Sequence, residues 1–286
     1  MSKTSLTDIE VLERRAKRRM VSYDNCEMVW REFGSGPPLL LLHGGYGSWL
    51  HWVRNIEELS RFYRLVIPDM PAHGDSDPGP DEWEAEWVAG ALKYGVERLV
   101  PENQTIRAAG FSAGGVVLGP LAVALGDRLT HAVMIGPNGM NLPYPPLPQL
   151  RSVTRLGPDA TEAQIADVHR YNLSVLMFHD PAFADETAVT VQMRNVRQAK
   201  RNMEHVPRTR VLLKALPNIR ARFAGLWGQH DVFVGQYMKL RETTLRTFQP
   251  DADFRVIENA GHWVMYEAPG AVNAAILEMV REQDQF

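Results

Sequence analysis

The amino-acid sequence predicts an α/β protein in which a helical cap is inserted into a doubly wound, mostly parallel sheet. Three observations carry this prediction. Apolar runs typical of buried parallel strands alternate with segments of helical periodicity. A Gly-Phe-Ser-Ala-Gly pentapeptide at residues 110–114 lies between such a strand and such a helix. The alternation stops over residues 137–216, which begin proline-rich and continue with helical patterns.

The first part of the chain starts with a basic run at residues 14–19, which we expect to belong to a solvated N-terminal helix. Residues 27–33 alternate in polarity and predict an outer strand. Residues 38–42 are continuously apolar and predict a strand covered on both faces. Residues 52–62 have helical spacing, and residues 64–69 predict the next strand.

The remaining core elements follow the same rhythm. They are predicted helices over residues 81–100 and 271–282, and predicted strands over residues 105–109, 130–135, 222–227 and 253–257. Between the predicted strands at residues 130–135 and 222–227, three segments have helical patterns and none predicts a strong strand. They are residues 161–177, 185–203 and 208–216. We therefore predict a core of residues 1–136 and 217–286 and a cap of residues 137–216.

Composition narrows the functional classes. The chain has 286 residues, of which 45% are hydrophobic and 23% charged, and its net charge of −3 gives no support for nucleic-acid binding. The single cysteine, Cys26, excludes an internal disulfide and is typical of a reducing compartment. No signal-peptide core and no apolar run of about 18 residues is present. We expect a cytoplasmic protein without membrane contact, and a homodimer through apolar cap helices stays open.

The pentapeptide places Ser112 on a strand–turn–helix, the context that a nucleophilic serine needs. A serine hydroxyl requires a histidine base, and that base requires an orienting carboxylate. Asp231 and His262 each follow a predicted strand, in the chain order expected for this arrangement. Because the carboxyl ends of parallel strands meet at one edge, we predict that these three residues form a catalytic triad.

Other polar residues compete for these roles. His230 directly precedes the predicted acid and better suits a packing role, and His43 comes too early in the chain to be the base. We expect His43 to shape its loop and Asp69 to organise the turn that follows it. Two further carboxylates, Asp253 and Glu267, are expected to be solvated charges.

An oxyanion needs two preorganised donors. We predict that they are the backbone N–H groups of Ala113, at the start of the helix, and of Gly45, in the loop after the apolar strand at residues 38–42. The nine histidines and one cysteine show no spacing typical of metal ligands, so no metal and no cofactor are expected.

With these residues identified, the chain resembles the α/β-hydrolase family over essentially its whole length. The matching segments are residues 43–45, 68–76, 110–115, 226–231 and 261–262. The resemblance implies the α/β-hydrolase fold and a serine nucleophile that attacks the carbonyl group of a small molecule.

The cap is most similar to that of the meta-cleavage-product hydrolases, which cut a C–C bond in vinylogous 1,5-diketones. Residues 176–195 carry this similarity. It implies that Arg194 binds the carboxylate end of a substrate, with a solvated helix face as the alternative. It also matches Trp263 to the tryptophan that follows the catalytic histidine in that group.

Two positions depart from that group. Phe111 stands where the group has an asparagine before its nucleophile, and His51 lies near the position of a second asparagine. We expect Phe111, Tyr46 and Trp49 to line an apolar, aromatic pocket, with core packing as the alternative for some of them. Cleavage of an ester, lactone or amide therefore stands beside C–C cleavage.

The sequence thus predicts a serine hydrolase that acts on a small, largely apolar carbonyl substrate. Non-hydrolytic members of the same fold form the rival class, because a fold does not determine a reaction. They include lyases, cofactor-free perhydrolases and ligand-binding proteins with very slow turnover.

Overall fold

The computed structural model describes residues 6–81, 84–201 and 209–281. Its strands in these ranges are β1 (Lys17–Tyr23), β2 (Cys26–Phe33), β3 (Pro38–Leu42), β4 (Arg64–Pro68), β5 (Ile106–Phe111), β6 (Leu129–Ile135), β7 (Arg222–Gly228) and β8 (Phe254–Ile257). They form one sheet in the order β1-β2-β4-β3-β5-β6-β7-β8. The pairs from β4 to β8 are parallel, whereas β1 and β2 run antiparallel at one edge.

The α-helices in the same ranges are α1 (Leu6–Arg15), α2 (Ile56–Leu59), α3 (Ala85–Leu99), α4 (Ala113–Leu125), α5 (Glu162–Leu176), α6 (Glu186–Gln198), α7 (Val211–Ala215), α8 (Met238–Phe248), α9 (Val264–Glu267) and α10 (Pro269–Met279). The helix predicted over residues 52–62 is thus much shorter. The one predicted over residues 81–100 includes residues 82–83, which lie outside the described ranges.

Helices cover both faces of the sheet. Leu39 and Leu41 of β3 belong to one hydrophobic core, together with residues of α1, α2 and α10. Leu40 and Leu42 point to the opposite face and belong to a second core with residues of α3, α4 and α8. Successive side chains of a strand alternate between faces, so a continuously apolar strand requires this double covering. The predicted doubly wound α/β fold is confirmed.

The basic run at residues 14–19 departs from its prediction. Helix α1 ends at Arg15, and Lys17 begins β1. Strand β1 pairs along β2, where Lys17 lies opposite Glu32 and Arg19 Nε donates a hydrogen bond to a Glu32 carboxylate oxygen at 3.3 Å. The run is solvated, as expected. Its second half forms a strand because it pairs with the edge of β2 and because acidic groups there provide opposite charges.

Helices α5, α6 and α7 lie between β6 and β7, where the sequence predicts an inserted cap. The described part of residues 137–216 contains no strand. Residues 202–208, which belong in part to two of the predicted helices, lie outside the described ranges. The division of the chain into a core and a cap remains a prediction.

The first turn of α6 is fastened to the core. Asp185 is the N-cap of this helix and accepts a hydrogen bond from the Ala188 N–H at 2.9 Å. The same carboxylate accepts hydrogen bonds from the Tyr266 hydroxyl at 2.6 Å and from Arg54 Nη2 at 3.0 Å. A charged N-cap that also binds an arginine ties the helix to the body of the protein.

None of the described helices combines the length and the apolar character needed to cross a membrane.

Candidate active site

Ser112 lies on a strained turn between β5 and α4. Its φ of 50° is in the left-handed region, which non-glycine residues rarely adopt. Two neighbours must be glycine: a Cβ on Gly110 would lie 2.6 Å from the Gly114 carbonyl oxygen, and one on Gly114 would lie 2.4 Å from the His43 carbonyl oxygen. Strand, helix and the β3 loop therefore approach closely, and the half-buried serine is held above the sheet edge.

The structure brings Ser112 together with the predicted base and acid. His262 Nε2 lies 3.1 Å from Ser112 Oγ, and His262 Nδ1 lies 2.8 Å from Asp231 Oδ2. Both His262 and Asp231 are buried. The other carboxylate oxygen of Asp231 accepts a hydrogen bond from the Phe233 N–H at 2.9 Å, which fixes its orientation. This chain of hydrogen bonds can carry a proton from the hydroxyl to the imidazole.

Aromatic rings surround the imidazole of His262. The ring centre of Phe233 lies 4.4 Å away and that of Phe111 lies 5.0 Å away. Gly136, with a φ of 55°, leaves room for this arrangement, because a Cβ there would lie 3.2 Å from His262 Cε1. Sequence reasoning missed Phe233, although its position two residues after Asp231 already placed it in the same loop.

The loop after β3 covers Ser112. A Cβ on Gly44 would lie 3.2 Å from the Ser112 Cβ. The Gly44 N–H donates a hydrogen bond to His51 Nδ1 at 3.1 Å, so it is not free to bind a substrate. The next N–H along the loop belongs to Gly45, which is half-buried, and that of Ala113 begins the helix α4. Ala113 directly follows the serine and Gly45 directly follows Gly44, and their role as oxyanion donors remains a prediction.

His51 is a neutral histidine in the middle of this loop. Burial is the main cause that lowers its pKa to about 3, and the nearby His262 and His73 act in the same direction. Because Nδ1 accepts a hydrogen bond from a backbone N–H, the proton of the neutral ring is on Nε2. The His51 carbonyl oxygen accepts a hydrogen bond from Trp263 Nε1 at 3.0 Å. His51 therefore connects the β3 loop with the residue after His262.

His43 and Asp69 organise loops, as expected. His43 Nε2 accepts a hydrogen bond from the Met70 N–H at 2.9 Å, and burial holds the pKa of this histidine well below its ordinary value. Asp69 is buried and accepts hydrogen bonds from the Trp49 N–H at 2.9 Å and from Arg31 Nη1 at 2.7 Å. Asp69 therefore fixes more than its own turn, since it also fixes the segment after β3.

The predicted pocket residues occupy different places. Phe111 is buried beside the His262 ring, and Trp263 is buried beside the His51 ring. Trp263 also stacks on Phe178 of the predicted cap, with ring centres 5.7 Å apart.

Tyr46 is half-buried in the β3 loop, where its φ is 49°. Trp49 is a core residue: its ring stacks on Phe33, with ring centres 6.0 Å apart, and Arg31 lies over it at 4.9 Å. Trp49 therefore packs in the core, which was the alternative to lining a pocket.

Arg194 forms an ion pair with Glu13 of α1 at 2.6 Å, with a third of its side chain exposed. The structure places it in contact with α1, and its role in binding a substrate carboxylate remains a prediction. Its neighbour Asn195, which sequence reasoning did not single out, is fully buried and accepts a hydrogen bond from the Ser48 hydroxyl at 2.6 Å. Helix α6 therefore contacts the β3 loop through Asn195.

Of the competing polar residues, Glu267 was wrongly expected to be solvated. Its carboxylate is buried because backbone N–H groups, including that of Gly261 at 2.7 Å, replace water around it. His230 has a packing contact with His179, and Asp253 forms an exposed ion pair with Arg255 at 2.6 Å. Among the described residues, no group of three or more histidine, cysteine or acidic side chains is arranged to hold a metal ion.

Known proteins share this sequence pattern and fold. The chain is 26% identical over 275 residues to the 2-hydroxy-6-oxo-6-phenylhexa-2,4-dienoate hydrolase of Burkholderia cepacia, a match that covers 90% of this chain and 92% of that enzyme. It is also 26% identical over 273 residues to the 2-hydroxy-6-oxononadienedioate/2-hydroxy-6-oxononatrienedioate hydrolase of Comamonas testosteroni, with the same coverage.

Solved structures of hydrolases with different substrates have the same fold. Naproxen esterase of Bacillus subtilis superposes with a TM-score of 0.74 at 22% identity and covers 96% of this chain and 95% of its own. The meta-cleavage product hydrolase of Pseudomonas fluorescens IP01 superposes with a TM-score of 0.73 at 18% identity, covering 91% and 96%. The model of the alpha/beta hydrolase family matches residues 39–275. The predicted fold and hydrolase class are confirmed, and the chain belongs to the alpha/beta hydrolase family.

Proposed function

We propose that this protein is a serine hydrolase that cleaves esters of small, largely apolar acids. One observation carries the proposal: Ser112 Oγ, His262 and Asp231 form a continuous chain of hydrogen bonds of 3.1 and 2.8 Å on a strained turn. The turn directs the hydroxyl towards His262 and the Asp231 carboxylate fixes the imidazole, which are the two requirements for an activated serine.

The reaction follows from this geometry. Ser112 Oγ attacks the substrate carbonyl carbon while its proton moves to His262 Nε2, and Asp231 stabilises the imidazolium that forms. The tetrahedral intermediate collapses when the C–O bond to the leaving group breaks, and His262 gives its proton to the departing alcohol. A water molecule, deprotonated by His262, then attacks the acyl-enzyme and releases the acid and the free serine.

The oxyanion is stabilised by the N–H groups of Ala113 and Gly45. Two contacts support this assignment: the β3 loop lies against the Ser112 Cβ, and the Gly44 N–H is engaged by His51. Ala113 lies at the first position of α4, so the partial positive charge of a helix N-terminus adds to its donor. Removing one such donor typically costs about 3–4 kcal/mol of transition-state stabilisation.

The surroundings of the base favour an apolar acyl group. The rings of Phe111, Phe233 and Trp263 are packed around His262 and His51. Phe111 and Trp263 are fully buried and keep water away from the two imidazoles, whereas the half-buried Phe233 can contact an acyl group, and its ring offers no polar group to a charged acid.

C–C bond hydrolysis of a vinylogous diketone is the second candidate. It is favoured by the names of the relatives from Burkholderia cepacia and Comamonas testosteroni, which match over nine-tenths of this chain. If the protein cleaves C–C bonds, Arg194 leaves Glu13 and binds the substrate carboxylate. The apolar Phe111 beside the nucleophile favours the ester reading, because it cannot donate a hydrogen bond to a dienolate.

The two candidates are separated by steady-state hydrolysis of short p-nitrophenyl esters and of a carboxylated vinylogous diketone. We expect ester turnover by the unmodified protein and a decrease in kcat of about 10⁴- to 10⁶-fold in Ser112→Ala, because the nucleophile is lost. Ser60→Ala is the matched control, and it should leave kcat unchanged, since the Ser60 hydroxyl donates a solvent-exposed hydrogen bond to the nearby Glu57 carbonyl oxygen on α2. Ester turnover that survives in Ser112→Ala would contradict the proposal. Much faster, Ser112-dependent cleavage of the diketone would establish the second candidate.

A further inference from the structure

Glu267 is a buried carboxylate bound almost entirely by backbone groups. It lies on the short helix α9 and is 6% exposed. Oε1 accepts hydrogen bonds from the N–H groups of Asp180 at 2.8 Å and His179 at 2.9 Å, and Oε2 accepts one from Gly261 at 2.7 Å. Among the described residues, it forms no ion pair with lysine, arginine or histidine. Hydrogen bonds from neutral donors to an ionised acceptor are strong, and here they replace the water that burial removes.

The donors of these hydrogen bonds come from two separate parts of the chain. His179 and Asp180 lie between α5 and α6, within the predicted cap, whereas Gly261 directly precedes His262. A single side chain therefore holds a cap segment and the loop of the predicted base. Any movement that separates the two parts leaves a buried carboxylate without one or two of its three backbone donors, which is costly.

The cap segment at residues 177–180 also contacts the base loop directly. A Cβ on Gly261 would lie 2.8 Å from the Met177 carbonyl oxygen, so the two backbones are in contact. The Trp263 N–H donates a hydrogen bond to that same carbonyl oxygen at 2.8 Å. The residues on both sides of His262 are thus fixed to the cap segment.

The same segment reaches the loop of the predicted acid. The rings of His179 and His230 stack with centres 3.7 Å apart and planes 11° apart. His230 directly precedes Asp231. The segment at residues 177–180 therefore bridges the two loops that carry the base and the acid, and Glu267 is the charged group at its centre.

We propose that Glu267 is a positioning residue that couples docking of the cap segment at residues 177–180 to the alignment of His262 with Ser112. Its carboxylate binds the backbone of residues 179–180 and the backbone of Gly261 at the same time. The base is therefore aligned only when this segment is docked. The inference rests on the proposed function, in which His262 is the base.

The test compares Glu267→Gln with Glu32→Gln. Glutamine has the size of glutamate, but its NH₂ group faces backbone N–H donors that need an acceptor. Glu32 of β2 is an equally buried carboxylate, 6% exposed, and it binds Arg19 of β1 and Arg64 of β4. It lies far along the chain from either loop. Each variant is measured for kcat and KM on an ester, for the rate at which a fluorophosphonate labels Ser112, and for hydrogen exchange of the amides at residues 177–180 and 261–263.

We expect Glu267→Gln to lower kcat and the labelling rate by about 100-fold with little change in KM, which is the typical cost of a small misplacement of a reacting group. The amides of both segments should exchange faster together. Glu32→Gln should lower the melting temperature and leave kcat, the labelling rate and these amides unchanged. If Glu267→Gln does not fold, Glu267→Asp is used, because it keeps the charge and shortens the reach.

Three results would contradict these claims, and they differ in which claim they overturn. An unmodified protein in which Ser112 is not labelled would contradict the proposed function. The positioning role alone would be overturned if the fluorophosphonate labels Ser112 at the same rate in the unmodified protein and in Glu267→Gln. Faster exchange in only one of the two segments would also overturn it, because coupling requires both to loosen.

Discussion

Arg194 is the side chain for which the two candidate reactions predict different roles. Its guanidinium is paired with Glu13, and about a third of both side chains is exposed. An exposed ion pair of this kind contributes about 0.2–1 kcal/mol, so a substrate carboxylate could replace Glu13 at little cost. The two candidate reactions therefore predict different effects when Arg194 is removed.

For the proposed ester hydrolase, we expect Arg194→Ala to change kcat/KM for carboxylated and neutral substrates by the same factor. The reason is that the guanidinium is engaged at the protein surface and not at the acyl group. Glu13→Gln is the matched variant, since it frees the arginine without removing it. A loss confined to carboxylated substrates in Arg194→Ala, with a gain in Glu13→Gln, would favour C–C hydrolysis instead.

Sequence reasoning reached Ser112, Asp231 and His262 because each follows a strand end, and strand ends can be predicted from local apolar runs. It could not reach Glu267 in the same way. Two of its three backbone partners, the amides of His179 and Asp180, lie almost ninety positions away in the chain, and no local pattern indicates such a contact. A glutamate is solvated in most proteins, and only the tertiary fold shows that this one is not.

At the scale of elements, helix α3 packs against β2 through a glycine. A Cβ on Gly95 would lie 2.0 Å from Cζ2 of Trp30, which is fully buried. The same helix contains Gly90, where a Cβ would meet the end of the Tyr23 side chain, with the hydroxyl oxygen at 3.2 Å. The two positions have the same secondary structure and differ in whether the neighbour can move.

We expect Gly95→Ala to lower the free energy of unfolding by about 1–3 kcal/mol, because the buried Trp30 cannot yield. Gly90→Ala should raise it by about 0.5–1 kcal/mol, since alanine is the better helix former and the half-buried tyrosine can shift. Urea denaturation of both variants and the unmodified protein measures the difference. Equal effects at the two positions would show that the Trp30 contact does not limit the packing of α3.

Strand β1 shows where prediction of elements fails. Its sequence begins with Lys17, Arg18 and Arg19, which look like the end of a charged helix. It becomes a strand because the edge of β2 is free and because Glu32 and Asp75 provide opposite charges. These are properties of the assembled sheet. The central strands, in contrast, were predictable because burial on both faces requires a run of apolar residues.

At the scale of the whole molecule, buried neutral histidines make stability depend on pH. Burial lowers the pKa of His43 and His73, and it lowers that of His51 to about 3. In the unfolded chain a histidine titrates near pH 6.5. Between pH 6.5 and pH 3 the unfolded state therefore binds a proton at His51 that the folded state does not, so the folded state loses stability as the pH falls.

We expect the free energy of unfolding to fall more steeply below pH 6 in the unmodified protein than in His51→Gln. The difference in slope should be about 1.4 kcal/mol per pH unit, the contribution of one such histidine. Glutamine can still accept the hydrogen bond from the Gly44 N–H, which makes it the suitable substitution. Urea denaturation at pH 7, 6 and 5 gives both slopes, and parallel slopes would contradict the buried neutral state of His51.

The charges of β1 also affect how copies of this protein meet. A strand at the border of a sheet is a template on which a neighbouring molecule can add its own strand, and this is a common route to aggregation. Here the border carries Lys17, Arg18 and Arg19, all exposed, so a second copy would bring like charges together. The same basic residues that obscure the strand in the sequence therefore protect the sheet from uncontrolled growth at this border.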